Sequence, residues 1–399
     1  MDPIHHSSLQ TEFRFKPNTA YLSNLRLANL GVTVATAAAY NPLVGAASNI
    51  ASIHLFDGNQ MLDQILEFPQ WAGFSSFNRP NQKNVDAQKV LARTGLGYNY
   101  SESDYPDANG TDNEAHAKIE QHFVPGNANS TAATTAKGWL SLKSILPFLD
   151  NSAYLPTSIF KNLRLVIQYS NAKNTTVNNN QLPTTLEPML IADEVLDPNK
   201  QSSITNSYKG VQFQAIEHDR VYLNAFVSGG SSTQEQTFTI GGFDNKRVGR
   251  IVVVNSLTDT GAIDSDVATV GLGSQSQPRQ KIQLRVNGQS KFWQSGISRP
   301  MERLAKLTDT WGTMNAFPGS SDVGVLNSTN VISSSITQYV SRFDYFGCSV
   351  GDEVLEFQID YSRDFVDDAK FKTALQLNIF AEVLKTVSIG NGGYTIAYA

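Results

Sequence analysis

Ile53-His54-Leu55-Phe56-Asp57-Gly58 and Ile282-Gln283-Leu284-Arg285-Val286-Asn287-Gly288 decide the fold class. Ile53 and Leu55 in the first, and Ile282, Leu284 and Val286 in the second, fall on every second position, the period of a half-buried strand. Each strand runs into a turn dipeptide, and Asn287 follows Asp57 by 230 positions. Upstream of each lies another apolar strand, Leu25 to Val34 and Arg250 to Leu257; downstream lies a late strand, Asn162 to Gln168 and Ala374 to Phe380. The order of elements repeats although the residues do not, which predicts two copies of one β-fold.

Strand signals dominate elsewhere too, at Leu163 to Tyr169, Val211 to Ile216, Lys281 to Val286, Thr237 to Ile240, Glu356 to Tyr361, Leu375 to Phe380 and Tyr394 to Tyr398. Arg250 to Val254 is a continuous apolar run, as expected of a strand covered on both faces. Two short helices are expected. Ser298 to Trp311 has Pro300 in its first turn and Met301, Leu304, Leu307 and Trp311 on one stripe, while Gln60 to Phe68 carries Leu62, Ile65 and Leu66 before Pro69. Three long polar segments, Asn78 to Thr135, Asn171 to Thr184 and Gly319 to Ser335, read as loops.

A chain of 399 residues exceeds the roughly 250–300 residues that one core serves, so two domains are expected. The Pro/Asn/Ser-rich stretch Asp197 to Ser203 places their join near residue 200. Charged residues make up 17%, below the usual share of about 25%, which suits long loops and large buried interfaces. With a net charge of −5 and no Lys/Arg tract, strong direct nucleic-acid binding is disfavoured. The single cysteine, Cys348, excludes an internal disulfide and any multi-cysteine metal site; it reads as a buried small residue or a free thiol. The N-terminal Met-Asp-Pro-Ile-His-His shows no basic region followed by an apolar stretch, so synthesis inside the cell is expected. Leu27 to Phe56 lacks Asp, Glu, Lys and Arg, but Asn29, Asn41, Pro42, Ser48 and Asn49 break it short of a membrane span.

The sequence offers no catalytic, cofactor or metal site. No Gly-x-Gly-x-x-Gly follows a strand, no Gly-x-x-x-x-Gly-Lys-[Ser/Thr] occurs, and Gly-x-Ser-x-Gly is absent; Gly271-Leu272-Gly273 reads as a turn. Of His5, His6, His54, His116, His122 and His218, only His116 and His122 are close enough to share a ligand beyond the terminal pair, and their spacing is not that of a zinc helix. Asp104, Asp107, Asn109, Asp112 and Glu114 could offer oxygen to calcium, but the EF-hand pattern is not met, and calcium at 104–114 stays open. Glu353, Glu356 and Asp360 read as strand-edge charges. Trp71, Trp139, Trp293 and Trp311 have no interleaved basic cluster and read as packing residues. The sequons at Asn99, Asn109, Asn129, Asn174 and Asn327 fit chance in an Asn-rich chain.

Trp139-Leu140-Ser141-Leu142-Lys143-Ser144-Ile145-Leu146-Pro147-Phe148-Leu149, then Tyr154-Leu155-Pro156, then Leu163-Arg164-Leu165-Val166-Ile167-Gln168-Tyr169, resembles a recurring pattern of double jelly-roll major capsid proteins. In that family a Leu/Pro-rich turn separates two late strands of the first roll. Leu375-Gln376-Leu377-Asn378-Ile379-Phe380-Ala381-Glu382-Val383-Leu384-Lys385 is similar to the strand that closes the second. The family belongs to tailless icosahedral double-stranded DNA viruses, and the Polinton-like and virophage group is most similar, although its members are often longer.

The resemblance implies an all-β fold of two tandem eight-stranded jelly rolls with short helices in the loops: an N-terminal arm at 1–18 facing the shell interior, a first roll at 19–200 and a second at 201–399. It implies a non-catalytic virion protein, made and assembled inside the host cell, that forms pseudo-hexameric homotrimers and self-assembles into the icosahedral shell. Its partners would be other capsomers, minor capsid proteins and penton proteins, with internal-membrane and host-receptor contacts left open. Obligate interfaces of this kind commonly bury roughly 2,000–5,000 Å². The rival is a carbohydrate-binding or carbohydrate-active β-sandwich, which a carboxylate pair beside an aromatic platform would favour. A penton or spike component is a second rival, less suited to two matched halves.

Overall fold

The computed structural model describes residues 1–28, 33–34, 50–68, 70–71, 134–135, 140–169, 188–224, 233–257, 281–292, 296–297, 306, 309–310, 346–354, 357–364, 375–390 and 393–398. The first half contributes β1 (His5–His6), β2 (Gln10–Arg14), β3 (Ala20–Leu22), β4 (Arg26–Ala28), β5 (Thr33–Val34), β6 (Ile50–Asp57), β7 (Gln60–Ile65) and β8 (Thr134–Thr135). After β9 (Leu140–Ser141) come helix α1 (Pro147–Asn151), β10 (Tyr154–Pro156), β11 (Leu163–Tyr169) and β12 (Met189–Ile191). Helix α2 (Pro198–Ser207) leads into β13 (Gly210–Leu223), β14 (Thr233–Ile240), β15 (Arg247–Leu257), β16 (Lys281–Val286) and β17 (Gln289–Ser290). The last strands are β18 (Phe346–Val354), β19 (Phe357–Asp364), β20 (Leu375–Gly390) and β21 (Gly393–Tyr398).

Two antiparallel sheets in the second half have the orders β14-β19-β16-β17 and β13-β20-β15-β18, with β21 added alongside the end of β20. The first half repeats them as β2-β11-β6-β7, extended by β1, and β12-β4-β9. Met1 occupies the place that β13 holds in the second half, since its amino group donates to Leu190 O at 2.7 Å and its carbonyl accepts from Leu190 N at 3.2 Å. Four strands facing four strands in this order make a jelly roll.

The repeated hairpins follow from their turn residues. Gly58 has φ 58°, and Asn287 and Gly288 have φ 49° and 76°, so the second pair supplies the two left-handed residues of a tight hairpin turn. The chain therefore returns as a strand, and Gln60–Ile65 is β7 rather than the expected helix. A bulge disguised it: Leu55 pairs with Asp63 and Phe56 with Met61, which leaves Leu62 as an extra residue and buries Leu62, Asp63 and Ile65 at helix-like spacing. Helical geometry starts only at Phe68. Of the helix expected from Ser298 to Trp311, Lys306, Asp309 and Thr310 are helical, and the rest lies outside the described residues.

One further reading needs correction. Residues 1–18 are not a separate arm, because β2 lies between β1 and β11 and its inward-facing Thr11 and Phe13 are fully buried. The stretch at 197–203, where the join between the halves is expected, is the start of α2: the Asp197 side chain accepts from Asn199 N at 2.9 Å and Pro198 fills the first turn.

Beyond α2, Gly210 opens β13 at φ 98°, and a Cβ there would stand 2.0 Å from Val387 O. Gly210→Ala is expected to lower stability by about 2 kcal/mol or more. A urea midpoint equal to that of the native chain would show that the start of β13 is not held in this way.

One hydrophobic cluster fills the first sandwich and another the second, and the first borrows Phe213, Ala215, Ile216, Val252, Phe380 and Val387 from the second half. Val252 and Phe380 point into this shared core, whereas their neighbours Ile251, Val253, Ile379 and Ala381 point into the other. Burial on both faces accounts for the unbroken apolar run in β15. Leu27, Ile50, Ile53 and Leu55 of the uncharged N-terminal stretch are core residues. Among the described residues, no helix is long and apolar enough to cross a membrane.

Candidate functional site

The chemically distinctive part of the molecule is the joint between the two sandwiches. Helix α1 and edge strand β7 of the first half cover β13, the edge strand of the second, which shields a 14-residue strand from pairing with another chain. Phe148 of α1 stands edge-on to Phe160 (5.9 Å) and to Phe213 of β13 (5.6 Å). Tyr394 of β21 packs on Phe160 at 5.0 Å and donates its hydroxyl to Asp57 at 2.9 Å, and Trp71 lies 5.3 Å from Phe380. A cleft of about 430 Å³ opens here, lined by Trp71, Pro147, Phe213, Gln214, Glu382 and Leu384.

Charges are set into this apolar joint. Leu146, the residue before α1, makes no side-chain cap; Asp63 of β7 takes over, accepting from Phe148 N and Gln64 N at 2.9 Å each. Burial pushes the Asp63 carboxyl up to about 7, against the pull of the two N–H groups and of Lys385. Burial lowers the pKa of Lys385 in turn, partly offset by Asp63 and Glu217. Glu217 of β13 accepts from the Tyr398 hydroxyl at 2.9 Å and pairs with Lys246 at 3.7 Å. The ammonium groups of Lys246 and Lys385 stand 4.6 and 5.3 Å from the centre of the Tyr398 ring. On the neighbouring strands Arg250 grips Glu382 at both ends of its fork, at 2.5 and 2.6 Å.

The described histidines do not converge. His5 and His6 are exposed on β1, His54 of β6 bonds Ser52 Oγ at 2.8 Å, and His218 of β13 bonds Asn378 Oδ1 at 3.2 Å. Burial pushes His218 down to about 4, so it is neutral at physiological pH. Asp360 is held by Arg285 at 2.5 Å and by the Thr237 hydroxyl at 2.8 Å. Trp71 is a core residue, as expected of packing. Cys348 pairs with Ile251 in the β15–β18 ladder, but its side chain lies outside the described residues. So do His116, His122, residues 104–114, the five sequon asparagines, Gly271 to Gly273, Trp139, Trp293, Trp311 and the side chains of Glu353 and Glu356. Among the described residues no group of three His, Cys, Asp or Glu side chains could hold a metal ion.

Sequence reading passed over Asp63, Lys385 and the Arg250–Glu382 pair. Their signal was a lone charge inside an otherwise apolar strand, as in Met61-Leu62-Asp63-Gln64-Ile65, where a buried charge needs a partner.

With both sandwiches in the same strand order, the chain has the double jelly-roll fold. That fold matches solved structures over nearly its whole length: PBCV-1 VP54, as fitted into a cryo-EM reconstruction of the virophage Sputnik, has a TM-score of 0.55 at 9% identity, covering 98% of this chain and 93% of that one. The mavirus major capsid protein gives 0.53 at 8% identity, covering 100% and 89%. The quasi-atomic PBCV-1 virus capsid gives 0.52 at 11%, covering 98% and 93%. No family model and no curated protein sequence matches the chain.

Proposed function

We propose that this chain is the major capsid protein of a tailless icosahedral double-stranded DNA virus, a non-catalytic tile that forms pseudo-hexameric homotrimers and builds the virion shell. The observation that carries this reading is the locked pair of sandwiches: one chain supplies two similar wedges fixed at one angle, so three chains supply six. The full-length likeness to capsid structures of PBCV-1 and mavirus supports the same reading. The chain divides near residue 200, at α2, into rolls 1–200 and 201–399, with the residues before β2 facing the shell interior. Minor capsid and penton proteins would complete the shell, and assembly would take place in the host cell.

Light scattering and negative-stain imaging of the purified protein test the proposal. The expected particle has three times the 43.6 kDa chain mass and a six-sided outline, or is a closed shell. A monomer at every concentration would overturn it and return attention to glycan binding.

A further inference from the structure

We propose that the joint between the two sandwiches is a proton-operated latch, in which Asp63 takes up a proton to lock the halves together and gives it up to loosen them. The inference stands on contacts within one chain and holds whether or not the chain assembles.

Asp63 is 1% exposed and sits where β7, α1, β13 and β20 meet. Its two oxygens are spent on the backbone N–H groups of Phe148 and Gln64. Each element around it presents a known charge. Lys385 attracts it from β20 without closing to an ion pair within 4.0 Å, and Glu217 repels it from β13. Glu217 is itself engaged by Lys246 and by Tyr398 of β21. On α1, Asp150 is exposed and paired with Lys143 at 3.9 Å, and on β6, Asp57 accepts from Asn162 N and the Tyr394 hydroxyl. A carboxylate in this setting has lost its water without gaining a contacting cation, so its neutral form suits the closed joint better.

The direction follows from linkage. In the closed joint Asp63 holds its proton up to about pH 7, whereas once exposed to water it would release it near the ordinary carboxylate value of about 4. Closure is therefore most favoured at acid pH, weakens as pH rises from about 4 to about 7, and levels off above that. Between pH 5.5 and pH 8 the opening equilibrium is expected to rise roughly ten- to thirtyfold.

Hydrogen exchange of the full chain across this range, corrected for intrinsic exchange rates, reads the latch directly. Peptides covering residues 61–66 and 145–151 contain the two amides that Asp63 holds, and β16 reports the second sandwich alone. Protection of the first two peptides is expected to fall roughly ten- to thirtyfold from pH 5.5 to pH 8, while β16 stays level. Asp63→Asn keeps an acceptor oxygen but cannot titrate, and should flatten the response. Lys385→Met removes the attracting charge and should move the fall to higher pH. A native chain with no fall, or an Asp63→Asn chain with the same fall, overturns the proposal. Should Asp63→Asn not fold, an unchanged midpoint in Lys385→Met overturns it as well.

Discussion

Glu382→Ala is expected to destabilise the chain by about 3 kcal/mol, because it removes the buried carboxylate that the Arg250 guanidinium grips. Arg250 and Glu382 are ladder partners on β15 and β20, joined by both ends of the fork, and the Glu382 side chain is 8% exposed. Arg250 also donates to Thr310 O at 3.3 Å, which retains part of its bonding when the carboxylate is lost. The Arg250 side chain is one-third exposed, at 33%, so water recovers some of the cost and the effect lies at the low end of the roughly 3–5 kcal/mol known for broken buried pairs. Replacing both residues together, as Arg250→Met with Glu382→Leu, should restore stability to within about 1–2 kcal/mol of the native chain, since neither member of the pair then remains without the other. Urea denaturation of the three variants measures the coupling. Costs that simply add in the double variant would show that the two side chains do not act as a pair.

Phe148→Ala should cost about 3–5 kcal/mol and, more tellingly, divide one unfolding transition into two. The ring is fully buried, it is the only apolar side chain placed edge-on to both Phe160 of its own half and Phe213 of the other among the described residues, and it is carried on the helix turn that Asp63 caps. Removing it leaves a void in the joint rather than in the middle of either sandwich. Trp71 at the joint gives a fluorescence signal for its opening, while far-ultraviolet circular dichroism follows the sheets as a whole. In the native chain the two should change together; in Phe148→Ala the fluorescence should change at lower urea. Coincident transitions at the native midpoint would mean that the aromatic cluster does not couple the halves.

The strands were legible where one face of a sandwich meets solvent. Leu163 to Tyr169 and Lys281 to Val286 alternate cleanly, and the structure gives β11 and β16 those bounds. Arg250 to Val254 was legible for the opposite reason, as a strand with no wet face. The reading failed where a local irregularity imitated another period: the extra residue Leu62 turned a two-residue rhythm into an apparent helix. It also failed at α2, where attention to Pro, Asn and Ser as loop formers obscured Asp197-Pro198 as a helix start. The joint was out of reach in a different way. Asp63 and Lys385, or Phe148 and Phe213, come together only after both sandwiches have formed, and no spacing within one segment encodes that meeting.

The shared core has a consequence for how the chain is made. The first sandwich is missing Phe213, Val252, Phe380 and Val387 from its interior until the ribosome has added nearly the whole second half. At about 5–20 residues per second, the 180 or so residues after α2 take roughly ten to forty seconds, during which the N-terminal half carries an open apolar flank. β20, at 16 residues, touches both cores, as β13 and β15 do, and is the last of these three strands to emerge. Arrival of β20, rather than folding of the first half, is thus the step that seals the two cores.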